Sequence, residues 1–301
     1  MTTVVLIRCT HFDEQAARVA SEVRSQMGIE PIFVPDCLKD ASRGDADKWP
    51  EGAKVVKLDQ DLASRLELFT ARERIGWLCG DYVLYAALSL DWDYAWVIET
   101  DVSLIGAQSV FNDLDLIDDD LLACRYTFPT AAWEPYGRLK AVWPDAQVAS
   151  ITFPLVRVSR RLAEAALGER QRFTRILEKD RDLRVPNDES VIASVAREHG
   201  FTVTDLLEQY PEVFRFWRTV VRYPLADLAR RVESPKIVHS AVGTERFLYY
   251  VEFAVSQAIR TRRLLDKDFW VALSLCSEET FRLAVARIHS ATAEYLGMPE
   301  G

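Results

Sequence analysis

The chain has 301 residues, of which 49% are apolar and 28% charged, and its formal net charge is −9. This composition is typical of a folded globular protein, and it excludes a disordered chain, collagen or a coiled coil as a description of the whole. An acidic protein of this charge is repelled by the phosphate backbone of nucleic acids, so we expect no broad DNA or RNA binding.

The cysteines and the first residues predict a cytoplasmic protein. The five cysteines are far apart, odd in number and without a Cys-x-x-Cys pair, which argues against a zinc knuckle or a disulfide framework. The chain begins Met-Thr-Thr-Val-Val-Leu-Ile-Arg, without the basic and apolar regions of a signal peptide. We therefore expect buried, reduced thiols in a cytoplasmic protein, with the inner face of a membrane as its only candidate peripheral location.

The first part of the chain alternates strand and helix patterns. Residues 4–8 form a short apolar run that predicts a buried strand, and residues 12–27 have apolar side chains at helical spacing before Gly28. A second strand is predicted over 32–34. This strand–helix–strand order favours an α/β domain with a mostly parallel sheet.

The middle of the chain continues this alternation. We predict strands over 94–98, 121–126 and 150–158, and we interpret 129–147 as a long loop because its aromatic residues have little periodicity. Ser159 is a predicted N-cap for the helix that follows it.

The last part of the chain is predicted to be helical. We predict a helix over 188–199, closed by Gly200, and short strands over 202–206 and 237–238. A helical pattern then runs from 244 to 296. We therefore predict an α/β domain over 1–241. A helical C-terminal extension over 242–301 would pack on that domain or form a homo-oligomer interface.

Two acidic residues at the end of a predicted strand are the strongest candidate for a functional motif. Glu99 and Asp101 follow the apolar run Trp-Val-Ile, and ligands of α/β sheets bind at the carboxyl ends of strands. Hard divalent cations such as Mg²⁺ or Mn²⁺ prefer such oxygen ligands. Asp-x-Asp pairs occur elsewhere in this acidic chain, but most are predicted to be solvated surface; Asp91 and Asp93, for example, precede the strand and belong at the opposite end of the sheet.

Two segments carry a resemblance to a known family. Residues 74–88 read Arg-Ile-Gly-Trp-Leu-Cys-Gly-Asp-Tyr-Val-Leu-Tyr-Ala-Ala-Leu, and residues 93–106 read Asp-Tyr-Ala-Trp-Val-Ile-Glu-Thr-Asp-Val-Ser-Leu-Ile-Gly. They resemble the core of glycosyltransferases with the GT-A fold, in which a helix bearing Gly-Asp precedes the strand with the metal-binding acids. The order of elements extends the resemblance to residues 3–240. It implies a Rossmann-like, mostly parallel sheet flanked by helices.

The resemblance also implies roles for particular residues. Arg8 and Thr10, at the end of the first strand, would help to hold the nucleotide, together with Asp81 and Glu99. Three residues would hold the metal: Glu99, Asp101 and His239. Glu99 stands at a position where the family more often has Asp. The acidic pair that begins an acceptor-side helix would be Asp188 and Glu189, either of which is a candidate base.

The implied reaction moves a sugar from a nucleotide diphosphate, with UDP-sugars favoured by family habit, to a hydroxyl of a carbohydrate or lipid-linked acceptor. A divalent cation would stabilise the charge that develops on the leaving diphosphate. In an inverting reaction Asp188 or Glu189 would accept the acceptor proton, whereas in a retaining reaction they would only position the substrate.

Residues 213–263 contain ten Lys or Arg and four Asp or Glu, so this part of the chain is basic. Apolar and Arg positions within 213–228 predict a basic amphipathic helix, kinked at Pro224. Peripheral contact of 213–231 with an anionic membrane is one interpretation, and a helix packed on the core with a solvated Arg face is the other.

Two alternatives to a glycosyltransferase remain. One is a non-catalytic module that binds sugar nucleotides or glycans on the same fold. The other is a nucleotidyltransferase, although the segment after the first strand, Thr-His-Phe-Asp, is not the Gly-rich basic loop usual in that class. Metal-dependent hydrolysis of a donor sugar separates an enzyme from a binder.

Overall fold

The structure, a computed structural model, describes residues 1–71 and 75–296. Its strands, in chain order, are β1 (Thr3–Cys9), β2 (Ile32–Pro35), β3 (Lys54–Val55), β4 (Tyr94–Glu99), β5 (Val102–Ile105), β6 (Leu121–Thr127), β7 (Ser150–Ser159), β8 (Val203–Asp205), β9 (Tyr223–Pro224), β10 (Lys236–His239) and β11 (Ala241–Val242). Its α-helices are α1 (Glu14–Met27), α2 (Gln60–Arg65), α3 (Ile75–Leu78), α4 (Tyr82–Ala86), α5 (Gln108–Leu114), α6 (Glu134–Val142), α7 (Arg160–Lys179), α8 (Asp188–Glu198), α9 (Leu206–Gln209), α10 (Leu225–Arg231), α11 (Thr244–Thr261), α12 (Lys267–Ser274) and α13 (Glu278–Leu296).

The main sheet has seven strands in the order β3-β2-β1-β4-β7-β6-β8. Strand β7 is antiparallel to its neighbours β4 and β6, and the remaining pairs are parallel. All ten residues of β7 are buried, as expected for a strand covered on both faces. The predicted mostly parallel α/β sheet flanked by helices is therefore confirmed.

Local signals at helix ends act as predicted. The side chain of Ser159 accepts a hydrogen bond from the backbone N–H of Leu162, which caps α7. Gly28 ends α1 in the left-handed conformation that glycine adopts without steric cost. All five cysteines are free and buried, in agreement with the expected thiols.

The contacts between residues divide the chain into two compact units. Unit 1 comprises 1–100 and 108–211, and unit 2 comprises 101–107 and 212 to the C-terminus. This division differs from the predicted boundary at 241/242. The physical reason is that β5, which follows β4 closely in the chain, is not a strand of the main sheet. It pairs antiparallel with β10 instead.

Each unit has its own apolar core. In unit 1 the core lies on the main sheet and includes Trp92, Val97 and Phe153. In unit 2 the core lies among β9, β10, α11 and the last helices, and includes Tyr223, Phe247 and Phe269. Residues 244–296 form three helices, which confirms the helical prediction for this part. Among the described helices, none is long and apolar enough to cross a membrane.

Two predictions of local structure are wrong. The predicted loop over 129–147 contains α6, whose signal is weakened by a proline in its first turn and by Gly137. The predicted basic helix over 213–228 is absent: 213–216 form turns, Trp217 forms a β-bridge with His239, 218–222 are irregular, β9 follows, and only α10 is helical. Here the burial of Phe214 and Trp217 among residues distant in sequence outweighs local helical periodicity. The membrane contact of 213–231, of which 225–231 form α10, stays a prediction.

Candidate functional site

The first cluster lies in unit 1, where β1 and β4 run in parallel side by side. Their register pairs Arg8 with Glu99 at the carboxyl ends of both strands. One guanidinium nitrogen of Arg8 donates a hydrogen bond to Glu99, and the other donates to the backbone carbonyl of Gly76. The side chains of Arg8 and Glu99 are only 15% and 28% exposed, so two residues from distant parts of the sequence form a partly buried ion pair.

Asp188 joins this cluster from the start of α8. Its Oδ2 lies 3.6 Å from the nearest Arg8 nitrogen and accepts a hydrogen bond from the backbone N–H of Gly80 at 2.9 Å. A side chain at Gly80 would collide with both groups, since a Cβ there would lie 2.3 Å from Arg8 Nη1 and 2.4 Å from Asp188 Oδ2. Glycine is therefore needed for this close approach.

The two carboxyl groups at the start of α8 have different surroundings. Burial raises the pKa of Asp188 well above its ordinary value, and the nearby Arg8 opposes that rise. Burial also raises the pKa of Glu189, to about 7, while a hydrogen bond from the Asn187 amide opposes it. Both acids are thus protonated more readily than ordinary carboxylates, and Glu189 titrates near neutral pH.

Asp81 is completely buried and makes a two-pronged ion pair with Arg170. Both carboxylate oxygens accept hydrogen bonds from the guanidinium, each at 2.7 Å, and the Tyr85 hydroxyl donates a third. Although Asp81 stands at the N-terminus of α4, its side chain makes no capping hydrogen bond. Its predicted contact with a nucleotide stays a prediction, and the observed surroundings are those of a structural ion pair.

The second cluster lies in unit 2 and contains Asp101 and His239. The register of β5 and β10 pairs His239 with Val102, next to Asp101, and the backbone carbonyl of Asp101 accepts a hydrogen bond from Ala241. His239 Nε2 lies 3.7 Å from Asp101 Oδ1. Among the described residues, neither Asp101 Oδ1 nor His239 Nδ1, both buried, has a hydrogen-bond partner. Such atoms suit a divalent cation, which takes carboxylate oxygen and imidazole nitrogen as ligands.

Arg222 and Ser240 complete this second cluster. Arg222 Nη1 lies 3.9 Å from Asp101 Oδ2 and donates a hydrogen bond to the Ser240 hydroxyl. Ser240 is buried and has a φ of 68°, a left-handed conformation that is costly for a non-glycine residue. The indole ring of Trp217 packs against the His239 ring, with their centroids 5.1 Å apart.

The structure therefore brings most predicted site residues into two groups. Unit 1 gathers Arg8, Glu99 and Asp188 with the adjacent Glu189, and unit 2 gathers Asp101 with His239. Thr10 is exposed just after β1, and its hydroxyl bonds to the ring of His11. Arg74, the first residue of the segment that carries the resemblance, lies outside the described residues.

Three participants were missed by the sequence analysis: the Arg222 guanidinium, the Gly80 backbone N–H and the Arg170 side chain. Arg222 belongs to the predicted basic helix, whose Arg face is interpreted either as a membrane contact or as solvated surface, and neither Gly80 nor Arg170 has a local signal for its partner.

Comparison with known proteins finds similarity in three-dimensional structure only. No family model and no curated protein matches the chain. Mouse xyloside xylosyltransferase 1 (apo form) is similar with 14% identity and a TM-score of 0.40, over 80% of this chain and 99% of that one. The galactosyltransferase LgtC, in complex with donor and acceptor sugar analogs, has 12% identity and a TM-score of 0.41, over 94% and 96%.

A synthetase is also similar to the chain. CMP:2-keto-3-deoxy-manno-octonic acid synthetase, in complex with CTP, has 11% identity and a TM-score of 0.37, over 68% of this chain and 89% of that one. These similarities in three-dimensional structure extend over more than two thirds of the chain.

Proposed function

We propose that the chain is a metal-dependent glycosyltransferase that moves a sugar from a nucleotide-diphosphate donor to a hydroxyl acceptor. The observation that carries this proposal is the close approach of two candidate ligands in unit 2, with His239 Nε2 3.7 Å from the buried Asp101 Oδ1 and the Arg222 guanidinium beside them. Glu99, which precedes Asp101 by two residues in the chain, is the third proposed ligand.

In this proposal, a bound divalent ion such as Mn²⁺ or Mg²⁺ would act as a Lewis acid and stabilise the negative charge that develops on the leaving diphosphate. Arg222 is 39% exposed and donates hydrogen bonds to diphosphate oxygens from the same cluster. Arg8 and Thr10 contact the nucleotide at the end of β1.

Glu189 is a better candidate than Asp188 for accepting the proton of the acceptor hydroxyl. Asp188 is 5% exposed and already accepts hydrogen bonds from the backbone N–H groups of Gly80 and Glu189. The pKa of Glu189, about 7, is near the value at which a general base works best in neutral solution. Asp188 in this scheme holds Arg8 and the Gly80 turn in place.

The test is to screen nucleotide sugars for thermal stabilisation with and without Mn²⁺, and then to measure hydrolysis of the donor that binds. The variants are Asp101→Ala and, as a matched control, Asp91→Ala, which removes an exposed carboxylate before β4. We expect metal-dependent stabilisation and donor hydrolysis in the wild type and in Asp91→Ala, and loss of both in Asp101→Ala.

Other outcomes identify the alternatives. Metal-independent stabilisation that Asp101→Ala leaves unchanged would overturn the proposed metal site. Donor binding without hydrolysis, in the presence of candidate acceptors, would assign the chain to the binding modules. Release of pyrophosphate from a nucleoside triphosphate would instead identify a nucleotidyltransferase.

A further inference from the structure

Unit 2 contains a cavity of about 830 Å³, and the proposed metal and donor residues Asp101 and Arg222 form only a small part of its lining. It is lined by one face of α11, by the segment before β9, and by residues 263–266 before α12, with Asp101 on its wall. This volume lies within the range of pockets that hold a small organic ligand.

The lining of this cavity is mostly apolar. Val221, Tyr250 and Phe269 are buried or half-buried in its wall. Four further lining side chains are left exposed to solvent: Val220 (76%), Tyr249 (71%), Phe253 (52%) and Leu264 (98%). Such a set of exposed apolar groups around one concave surface marks a binding site more often than ordinary surface.

The charges on the lining are mainly positive. Arg222, Arg246 and Arg263 contribute guanidinium groups, against the carboxylates of Asp101 and Asp266. In the proposed function Asp101 is engaged by the metal, so the cavity retains an excess of positive charge. An anionic group of a ligand is therefore complementary to it.

We propose that this cavity binds the non-sugar part of the acceptor, and that this part is an amphiphile with an apolar chain and an anionic group. This inference rests on the proposed function. Asp101, a proposed metal ligand, lies on the cavity wall, so a molecule in the cavity lies beside the proposed donor site. The apolar chain lies against Phe253 and Leu264, and the anion faces Arg246 and Arg263, while Arg222 binds the diphosphate of the donor. Both a membrane lipid carrier and a soluble amphiphilic glycoside have this chemistry.

The first experiment measures binding of decyl phosphate, below its critical micelle concentration, by isothermal titration calorimetry without donor or metal. We expect saturable one-to-one binding to the wild type, and binding about tenfold weaker for decanol, which lacks the anion. The variants Phe253→Ser and Leu264→Ser remove exposed apolar groups, so each folds and weakens decyl phosphate binding about tenfold. Phe281→Ser on α13, which is 46% exposed and outside the cavity, is the matched control and leaves binding unchanged.

The second experiment separates the two sources of the amphiphile. Flotation with anionic vesicles that Leu264→Ser abolishes would point to a membrane lipid, and decyl phosphate binding without flotation would point to a soluble amphiphile; both support the proposal. No binding of decyl phosphate, or equal binding by Phe253→Ser and the wild type, would overturn it. Loss of a dimer in Phe253→Ser, with no amphiphile binding, would assign the surface to a second copy of the chain and also overturn it.

The failures of the two proposals are distinguishable, because this binding is measured without donor. Donor hydrolysis that depends on Asp101, without binding of decyl phosphate, would refute the acceptor cavity alone. Binding of decyl phosphate by a chain that hydrolyses no nucleotide sugar would refute the glycosyltransferase proposal, and with it the identity of the amphiphile as an acceptor.

Discussion

At the scale of single residues, burial decides what the carboxyl groups of this acidic chain can do. Asp188 and Glu189 are neighbours on α8, and Asp81 lies close enough to raise the pKa of Asp188 further. Asp81 is paired with Arg170, whereas Glu189 accepts a hydrogen bond from the Asn187 amide and one from the backbone of Phe153. A carboxyl group thus forms a buried ion pair at one position and has a pKa of about 7 at the other.

The raised pKa of Glu189 predicts a pH-dependent stability. Since its pKa rises from an ordinary 4.5 to about 7 on folding, the native state binds more protons between these values. The free energy of unfolding therefore falls as pH rises through this window. We expect Glu189→Gln to be more stable than the wild type at pH 8 by about 1–2 kcal/mol, after allowance for partial exposure, and equal to it near pH 4.

Urea unfolding at several pH values checks this prediction. The control is Glu30→Gln, because a hydrogen bond from Arg24 lowers the pKa of exposed Glu30 and its removal acts in the opposite direction. A Glu189→Gln variant that is less stable than the wild type at pH 8 would show that this carboxyl is not destabilised by burial.

The buried pair of Asp81 and Arg170 predicts a large loss of stability when one partner is removed. Asp81→Asn leaves a guanidinium buried without its counter-charge, so we expect a loss of about 3–5 kcal/mol in the free energy of unfolding. The double variant Asp81→Leu, Arg170→Met removes both charges and should recover part of that loss.

Denaturant unfolding of these variants is compared with that of Glu278→Gln, which breaks an exposed pair with Arg282 and should cost less than about 1 kcal/mol. Equal small losses for both pairs would mean that burial of the Asp81 pair does not matter for stability.

At the scale of elements, short connections rather than long helices hold the candidate site of unit 1. The short helix α3 supplies the Gly76 carbonyl, which accepts a hydrogen bond from Arg8, and the turn after it supplies the Gly80 N–H, which donates to Asp188. Strand register then sets Glu99 beside Arg8. Positioning from rigid strand ends and a tight turn gives these charged groups a fixed geometry.

This geometry predicts the effect of Gly80→Ala. The added methyl group collides with the tips of the Arg8 and Asp188 side chains, which are able to move. We therefore expect a loss in unfolding free energy of at most about 2 kcal/mol, together with a clear weakening of donor-dependent thermal stabilisation.

The matched control is Gly168→Ala in the interior of α7, where a methyl group has no neighbour within 4 Å. That change should stabilise the protein by about 0.5–1 kcal/mol and leave donor binding unchanged. Unaltered donor binding in Gly80→Ala would show that the contacts of Arg8 and Asp188 do not matter for the nucleotide.

At the scale of the whole molecule, each unit has its own core and its own buried thiols. Four cysteines lie in unit 1 and Cys276 lies in unit 2. Burial raises the pKa of the thiols of Cys9, Cys79 and Cys276 to about 12, so the reactive thiolate is scarce at neutral pH.

We therefore expect native thiols to resist alkylation at pH 7.5 and all five to react after unfolding in urea. Mass spectrometry of each cysteine peptide measures this and reports the opening of the two units separately. Rapid alkylation of Cys79 in the native protein would contradict its burial against α7 and α8.

The sequence by itself determined the elements and the strand-end motif. Apolar runs such as the one before Glu99 form buried strands. Ser159 caps the start of α7 through a local hydrogen bond, and Gly28 ends α1 in a left-handed conformation. These features depend on residues close in the chain, and so they can be predicted from it. The strand-end position of Glu99 was predicted for the same reason.

Tertiary structure alone decided which charged groups meet in the candidate site. Arg170 lies 89 residues from Asp81 along the chain, and Arg222 approaches Asp101 in a structure where 213–222 do not form the predicted helix. Long-range packing sets these contacts and the burial that shifts the pKa of Glu189. No local periodicity encodes them, because the free energy of burial depends on residues that approach only in the folded chain.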